Sequence, residues 1–547
     1  MKSLLPLIFL FCFITDSVKS NTLPQYYKFR VYLKDKGNNN YSIDQPLEFL
    51  TQNAIERKRN QEIKIDETDF PISPDYFNLI SKSGGEVVSY SKWFETIVVR
   101  VSDSLKVDNI SSLSFVDSVK YVWRGNPNTY GSGPRPRITH DIHYDSTASF
   151  YGDTKKQFLI HNANNLFEAG YKGKGFKVGV IDAGFTNFDV IPYFNNVDLI
   201  GYKDFVPEGN IFSASDHGTK VLSTMTAFNP GRMMGSAPEA SYLLLRSEDV
   251  TSEFPVEEDY WIRAIEYADS LGIDVINTSL GYSEFDDKEL NYTHDDLTGK
   301  TSIMSKAADI AFEKGMLVIV SAGNEGNKIW KKTTPPSDAK NVISVGAVGY
   351  DSIIAPFSSY GYTADGRFKP DFVSVGLGTV TIDQHGVIGT TSGTSLSSPF
   401  LAGLITSLWS VNPELDRKKL VDILIKSSDR HINPDSIYGN GIINFQVALK
   451  ETLQTLEVHS QNIVKNNVVI EPVQDGVYEI IQRPTTLGND IKSVSLLDES
   501  GRLLSNYNTD GSNATTIILS AEIRNSNNFI HFVLEGIQKN KTIRIKL

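Results

Sequence analysis

The sequence predicts an α/β protein built on a parallel sheet with helices on both faces, preceded by a small α+β unit and followed by a C-terminal β-sandwich. Three observations carry this. Between about Gly152 and Leu453, short apolar runs alternate with helical patterns, as in strands buried on both faces and linked by crossover helices. A glycine- and proline-rich break, Asn126-Pro127-Asn128-Thr129-Tyr130-Gly131-Ser132-Gly133-Pro134-Arg135-Pro136-Arg137, stops any regular element before that region. After Leu453 the pattern turns to short alternating strands separated by turn residues.

Taken in order, the chain opens with Lys2, an apolar run from Leu4 to Ile14, and small or polar residues at Ser17, Val18 and Ser20. The run is too short to span a bilayer and reads as an export signal over 1–20, cut near Ser20 or Asn21; a buried N-terminal helix is the bland alternative. Residues 21–125 form the α+β unit, with a strand at Tyr27 to Leu33, helical stretches at Pro46 to Lys58 and Pro74 to Ser83, and an apolar strand through Trp93 to Val101. Residues 126–150 are a linker, and its exposed arginines make it a site for proteolysis. The sheet domain occupies 151–455, with strands at Val178 to Asp182, Tyr242 to Leu245, Ile273 to Asn277 and Met316 to Ser321, and helices at Tyr260 to Leu271 and Lys306 to Lys314. Residues 456–547 form the β-domain, with alternating stretches at Ser493 to Arg502 and Phe529 to Val533.

The 547 residues carry a formal charge of −12, spread along the chain without a basic stripe, which excludes nucleic acid as the main partner. The single cysteine, Cys12, lies inside the export signal. The mature chain therefore has no cysteine nucleophile, thiolate metal site or disulfide.

Three segments combine a reactive side chain with a presenting turn. In Val178-Gly179-Val180-Ile181-Asp182-Ala183-Gly184 an apolar strand delivers Asp182 at its carboxyl end, where functional groups of parallel sheets collect. A helix-capping carboxylate is the structural alternative. In Asp216-His217-Gly218-Thr219-Lys220 the histidine opens an apolar helix; alone it reads equally as a cap or a satisfied core histidine. In Gly393-Thr394-Ser395-Leu396-Ser397-Ser398-Pro399 a turn leads to Ser395, either an N-cap or a nucleophile at a helix N-terminus, with Pro399 expected in the tolerant first turn.

These blocks, in the order Asp, His, Ser and spaced 35 and 178 positions apart, resemble the signature segments of the subtilase family of serine peptidases (S8). Ser321-Ala322-Gly323-Asn324-Glu325-Gly326 resembles the family's oxyanion segment, and Asn277-Thr278-Ser279-Leu280-Gly281 its substrate-pairing strand. The resemblance implies a subtilisin-like fold and a serine endopeptidase acting through an acyl-enzyme, with Asp182, His217 and Ser395 as triad and Asn324 as oxyanion donor. It further implies Ser279, Leu280, Gly281, Ser321, Ala322 and Gly323 as walls of the first specificity pocket, with Glu325 at its rim and Thr334 at its floor. A surface-binding protein on an inactive subtilase scaffold is the alternative. The acid-acting sedolisins lack a histidine block like that at His217.

By the same resemblance, 21–125 is an inhibitory propeptide, an intramolecular partner of the mature enzyme beside its protein or peptide substrates. The tail resembles sorting domains of the type IX secretion route through Ser493-Val494-Ser495-Leu496-Leu497-Asp498-Glu499-Ser500-Gly501-Arg502 and Lys541-Thr542-Ile543-Arg544-Ile545-Lys546-Leu547, although Asn528-Phe529-Ile530 replaces the usual glycine and tyrosine. It implies outer-membrane secretion machinery as a partner; a stabilising or substrate-binding domain is the rival. The expected location is secreted or cell-surface. No cofactor is required by this chemistry. Structural calcium is known in subtilases, yet Asp35, Asp295 and Asp296 match no calcium loop, and His140, Asp141 and His143 lack a further ligand at useful spacing, so no metal is assigned.

Overall fold

The structure, a computed structural model, describes residues 25–126, 138, 149–456, 458–459, 463–465, 468–474, 477–482, 491–508, 514–519, 527, 529–536 and 540–546. The export signal, nearly all of the linker, and His140, Asp141 and His143 lie outside the described residues.

The N-terminal unit is an antiparallel sheet of β1 (Tyr26–Leu33), β2 (Glu86–Ser91), β3 (Thr96–Val101) and β4 (Val116–Gly125) in the order β2-β3-β1-β4. Its two longer helices are α1 (Gln52–Asn60) and α2 (Pro74–Lys82), and a short one spans Val107–Ser111. The helix expected from Pro46 is split: Pro46–Glu48 is a single 3-10 turn, and α1 starts only after Thr51, whose side chain caps it by accepting from Ala54 N.

The central sheet is parallel and seven-stranded. Its strands are β5 (Lys177–Asp182), β6 (Asp198–Asp204), β7 (Ser241–Arg246), β8 (Val275–Thr278), β9 (Leu317–Ser321), β10 (Ile343–Val348) and β11 (Phe372–Val375), in the order β11-β10-β9-β8-β5-β7-β6. The continuous apolar runs are split between two cores by the period-2 alternation of strands. Val178, Val180, Leu317 and Ile319 pack with Val221 and Met225 of α3 (His217–Thr226) and with Phe400 and Leu404 of a later helix, Thr394–Trp409. Ile181, Leu243, Val318 and Val320 face the other way, onto Trp261 and Ile265 of α4 (Val256–Leu271) and Met304 and Ala308 of α5 (Ile303–Glu313). Thr394–Trp409, hereafter α6, is followed by α7 (Arg417–Lys426) and α8 (Phe445–Gln454).

The N-terminal unit sits on α4. Arg30 grips Asp259 with two hydrogen bonds of 2.6 and 2.8 Å. Glu266 accepts from Ser91 Oγ and from the backbone N–H groups of Lys92 and Trp93. Arg57 of α1 is paired with Asp269, whose carboxyl is buried yet, ringed by Lys58, Arg57, Lys92 and Lys314, is held down at about 2.

The C-terminal domain is a pair of sheets. One has five strands in the order Val458–His459, Asn540–Lys546, Phe529–Gly536, Ile491–Leu497 and Leu503–Asn508; the other has four, Ile463–Lys465, Val468–Gln474, Val477–Gln482 and Ala514–Ile518. It has its own core around Val494, Leu496, Ile530 and Phe532. The separation expected from the sequence is incomplete, because Leu497 and Val533 join the core that contains Leu449 and Leu453 of α8. Polar contacts seal the same seam: Tyr171 Oη lies 2.6 Å from Thr542 Oγ1, and Asn540 Nδ2 donates to Gly170 O at 3.1 Å.

Candidate active site

Asp182 is the last residue of β5 and is fully buried, with 0% of its surface exposed. One of its oxygens, Oδ1, accepts from Ala183 N and from His217 Nδ1, both at 2.8 Å. It caps no helix, so the structural alternative for this residue falls away. His217 begins α3 directly after Asp216. The following glycine is required by close approach, since a Cβ on Gly218 would lie 2.4 Å from Gly184 O. With Nδ1–H donating to Asp182, Nε2 is the nitrogen left to accept a proton.

Burial pulls the imidazole pKa down, but the Asp182 carboxylate, its hydrogen bond, and the charges of Glu248 and Asp216 push it up further, to about 9. The balance of these effects lies on the side of a raised imidazole pKa.

Ser395 is half-buried and occupies the second position of α6. The N-cap is Gly393, so the capping reading of Ser395 does not hold. Pro399 also differs from expectation, standing at the sixth helical residue rather than in the first turn. Lacking an N–H, it leaves the carbonyl of Ser395 without its intrahelical donor. Ser279 Oγ supplies one instead, at 3.0 Å. Asn277 holds that serine in turn, donating Nδ2 to Ser279 Oγ at 3.2 Å while its Oδ1 accepts from Ser398 Oγ at 2.6 Å. Among the described residues Ser395 Oγ has no hydrogen-bond partner; apo sites are often loose at this point and tighten when substrate binds.

Asn324 follows β9 and is oriented by its oxygen, which accepts from Thr394 N at 2.9 Å and Thr394 Oγ1 at 3.0 Å. Its Nδ2 donor is thereby directed to the other side, beside the N-terminus of α6. Thr394 Oγ1 also accepts from Gly323 N at 3.2 Å, closing a small network between the two segments. Gly323 has φ +104, a conformation open to glycine.

Ser279, Leu280 and Gly281 follow the end of β8, and Ser321 ends the neighbouring strand β9, with Ala322 and Gly323 following it. Thr334 Oγ1 lies between them, 2.3 Å from where a Cβ on Gly281 would be and 3.3 Å from one on Gly323. Glu325 lies beyond, and its charge is matched by Lys328 Nζ at 2.9 Å, which weakens the repulsion of acidic substrate residues expected from a bare rim carboxylate. Asp35 accepts from Tyr76 Oη and Gly37 N, Asp296 closes a capping box with Thr293, and no group of three or more acidic, histidine or cysteine side chains among the described residues converges on a metal position.

Thr394, Ser398 and Glu248 were not singled out from the sequence. Thr394 stands inside the Gly-Thr-Ser block, and Glu248 follows β7 by two residues, at the carboxyl edge where ligand-facing groups of parallel sheets gather.

An Asp–His pair after a strand of a parallel sheet, together with a serine at the N-terminus of a helix packed on that sheet, is the arrangement of a hydrolase of the serine peptidase class. The chain belongs to the subtilase family, whose model matches residues 173–441. A second model, the peptidase S8 propeptide domain of Bacteroidota, matches residues 28–134. The chain is similar to subtilisin NAT of Bacillus subtilis subsp. natto and to subtilisin E of Bacillus subtilis (strain 168), in each case 31% identical over 287 residues, 52% of this chain and 68% of the relative. It is also similar to the human membrane-bound transcription factor site-1 protease, 30% identical over 273 residues that make up 24% of that protein. The protein is a subtilisin-like serine endopeptidase with a propeptide domain.

Proposed function

We propose that Asp182, His217, Ser395 and Asn324 carry peptide hydrolysis, that residues 21–125 inhibit the enzyme until they are removed, and that the chain is exported. Ser395 Oγ attacks the scissile carbonyl while His217 Nε2 takes its proton, giving a tetrahedral oxyanion. Ser395 N–H and Asn324 Nδ2 donate to that oxyanion. Collapse expels the amine, which receives the proton from His217, and water repeats the sequence on the acyl-enzyme. Asp182 stays ionised and fixes the imidazole tautomer. The observation that carries this reading is the 2.8 Å bond from His217 Nδ1 to Asp182, with Nε2 left free.

No step needs a cofactor, and calcium is given no site. The pocket between Ser279-Leu280-Gly281 and Ser321-Ala322-Gly323, closed by Thr334, favours medium apolar side chains such as Leu or Met over Trp. Export rests on the apolar run from Leu4 to Ile14 and places the mature enzyme outside the cell or on its surface. For the C-terminal domain, the apolar seam with α8 favours a stabilising role; recognition by outer-membrane secretion machinery is the reading tested against it below. The central test is Ser395→Ala in the full chain. Peptide hydrolysis is expected to vanish and the precursor to stay uncut in a protease-free preparation; continued hydrolysis overturns the nucleophile assignment.

A further inference from the structure

The C-terminal domain meets the catalytic domain through one face of its five-stranded sheet, and the alternation of the strands decides which residues lie there. Val494, Leu496, Ile530 and Phe532 point into the domain's own core. Their neighbours along the strands point the other way. Leu497 and Val533 pack with Leu449 and Leu453 of α8, Thr542 meets Tyr171, and Arg544 Nη1 donates to Gln454 O at 3.1 Å. His531 falls on this same face, two residues before Val533, opposite Leu497 in one neighbouring strand and Arg544 in the other. Only 1% of its surface is exposed.

His531 Nδ1 lies 3.2 Å from the Asp498 carbonyl oxygen, which can only accept, so Nδ1 carries the proton. That oxygen also closes the turn from Asp498 to Gly501 by accepting from Gly501 N at 3.0 Å. The turn is pressed onto α8, since a Cβ on Gly501 would lie 2.7 Å from Leu449 Cδ2 and 3.2 Å from Leu453 Cδ1. The imidazole therefore pins the part of the sheet domain that touches α8.

Its other nitrogen, Nε2, is buried without a partner, and so is Nε of Arg544 on the strand alongside. In the neutral ring Nε2 is a bare acceptor. A second proton makes it a buried donor with no acceptor and sets a positive charge opposite the Arg544 guanidinium. The charges that reach the ring are those of Arg544 and Asp498. The Asp498 carboxylate is already occupied, accepting from Ser500 N and Oγ and from Arg502 N and Nε. Glu535, further along the strand, accepts from Ser493 Oγ at 2.6 Å, and α8 brings the uncharged Leu449 and Leu453. Burial lowers the imidazole pKa and Arg544 adds to the effect, while the Asp498 carbonyl and carboxylate oppose it; the balance lies at about 4 against an ordinary 6.5.

We propose that His531 makes the docking of the C-terminal domain on the catalytic domain acid-labile: the neutral ring holds the Asp498 to Gly501 turn against α8, and the protonated ring drives the sheet off that face. Once undocked, the ring lies in water and titrates at its ordinary value, so between about 4 and 6.5 the undocked form binds more protons than the docked one. Docking is at full strength above 6.5 and weakens by about tenfold per pH unit as the pH falls toward 4. This device is independent of the triad assignment.

The test is read on a thiol buried in the seam. Val533 is 0% exposed, and Val533→Cys in a full chain that also carries Cys12→Ser and Ser395→Ala supplies one thiol without self-digestion. Its rate of reaction with dithiodipyridine, relative to the unfolded chain at the same pH, measures how often the seam opens. Protection is expected to be level above pH 6.5 and to fall by about tenfold per unit from there toward 4. Adding His531→Gln, whose amide donates to Asp498 O but takes no proton, is expected to keep protection level over that range. Adding Arg544→Gln is expected to make the loss smaller, because a charge that opposes protonation of the docked ring is gone. Protection that stays level with His531 in place overturns the proposal, and so does an equal fall in His531→Gln, which assigns the acid effect to carboxylates. Should His531→Gln not fold, Arg544→Gln decides: a loss as large as that of the parent chain overturns the proposal.

Discussion

His217 is held between opposing effects. Burial favours the neutral ring, while Asp182 and the unpaired Glu248 favour the charged one, and the balance lies above the ordinary 6.5, at about 9. The ring keeps 37% of its side-chain surface open, so water screens part of that pull. Because only the neutral imidazole takes the serine proton, a raised pKa moves the rise of activity to higher pH. The acid limb of kcat/KM is therefore expected between 6.5 and about 9, and Glu248→Gln is expected to move it downward. A limb at or below 6.5 in the unmodified enzyme would contradict the electrostatics.

Asn324 has two separable groups, an oxygen that anchors Thr394 and an amide nitrogen proposed as the oxyanion donor. Asn324→Leu removes both. Asn324→Asp keeps the acceptor and removes the donor. Both are expected to lower kcat by roughly 10²–10³ with little change in KM, a magnitude carried over from subtilisin itself rather than obtained from this geometry. Only the Leu variant is expected to melt earlier. If the Asp variant keeps full turnover, the amide is not an oxyanion donor.

At the scale of elements, α4 is the member on which the propeptide domain is held. Its outer face presents Asp259, Glu266 and Asp269 to the propeptide, and its first turn carries Glu257 to the loop after β7 and Glu258 to Ser302. Arg30 and Asp259 are both buried in the precursor, so removing the guanidinium leaves a carboxylate desolvated without its partner, a change on the order of 3–5 kcal/mol. Arg30→Met is expected to bring activity on sooner in a maturation time course, with kcat/KM of the released enzyme unchanged because Arg30 is no longer part of it. Identical time courses would show that this pair does not set propeptide retention. The strands and helices of this region were legible because buried parallel strands and amphipathic helices announce themselves by period. The split of the first propeptide helix was not, since Thr51 acts as a cap only once the chain turns there.

At the scale of the whole molecule, the three regions of the chain share surfaces rather than following one another as beads. The five-stranded C-terminal sheet packs on Leu449 and Leu453, and Tyr171 meets its Thr542. Ending the chain at residue 455 would expose that apolar seam. The truncated enzyme is expected to melt several degrees lower with unchanged kcat/KM on short peptides. An unchanged melting temperature together with loss of export would instead favour the sorting role.

The sequence by itself determined the α/β class and the family, because strand periodicity and short signature blocks are local properties of the chain, and through that resemblance it singled out Asp182, His217, Ser395 and Asn324 as the residues to test. Only the tertiary structure decided what those residues touch. Pro399 frees the Ser395 carbonyl, yet that Ser279, 116 positions away, answers it depends on how β8 meets α6. The bond from Ser247 N to the Asp182 carbonyl depends likewise on β7 lying next to β5, and the seam at α8 on the five-stranded sheet packing over it. Pairings of this kind join residues far apart in the chain, and no local pattern encodes them.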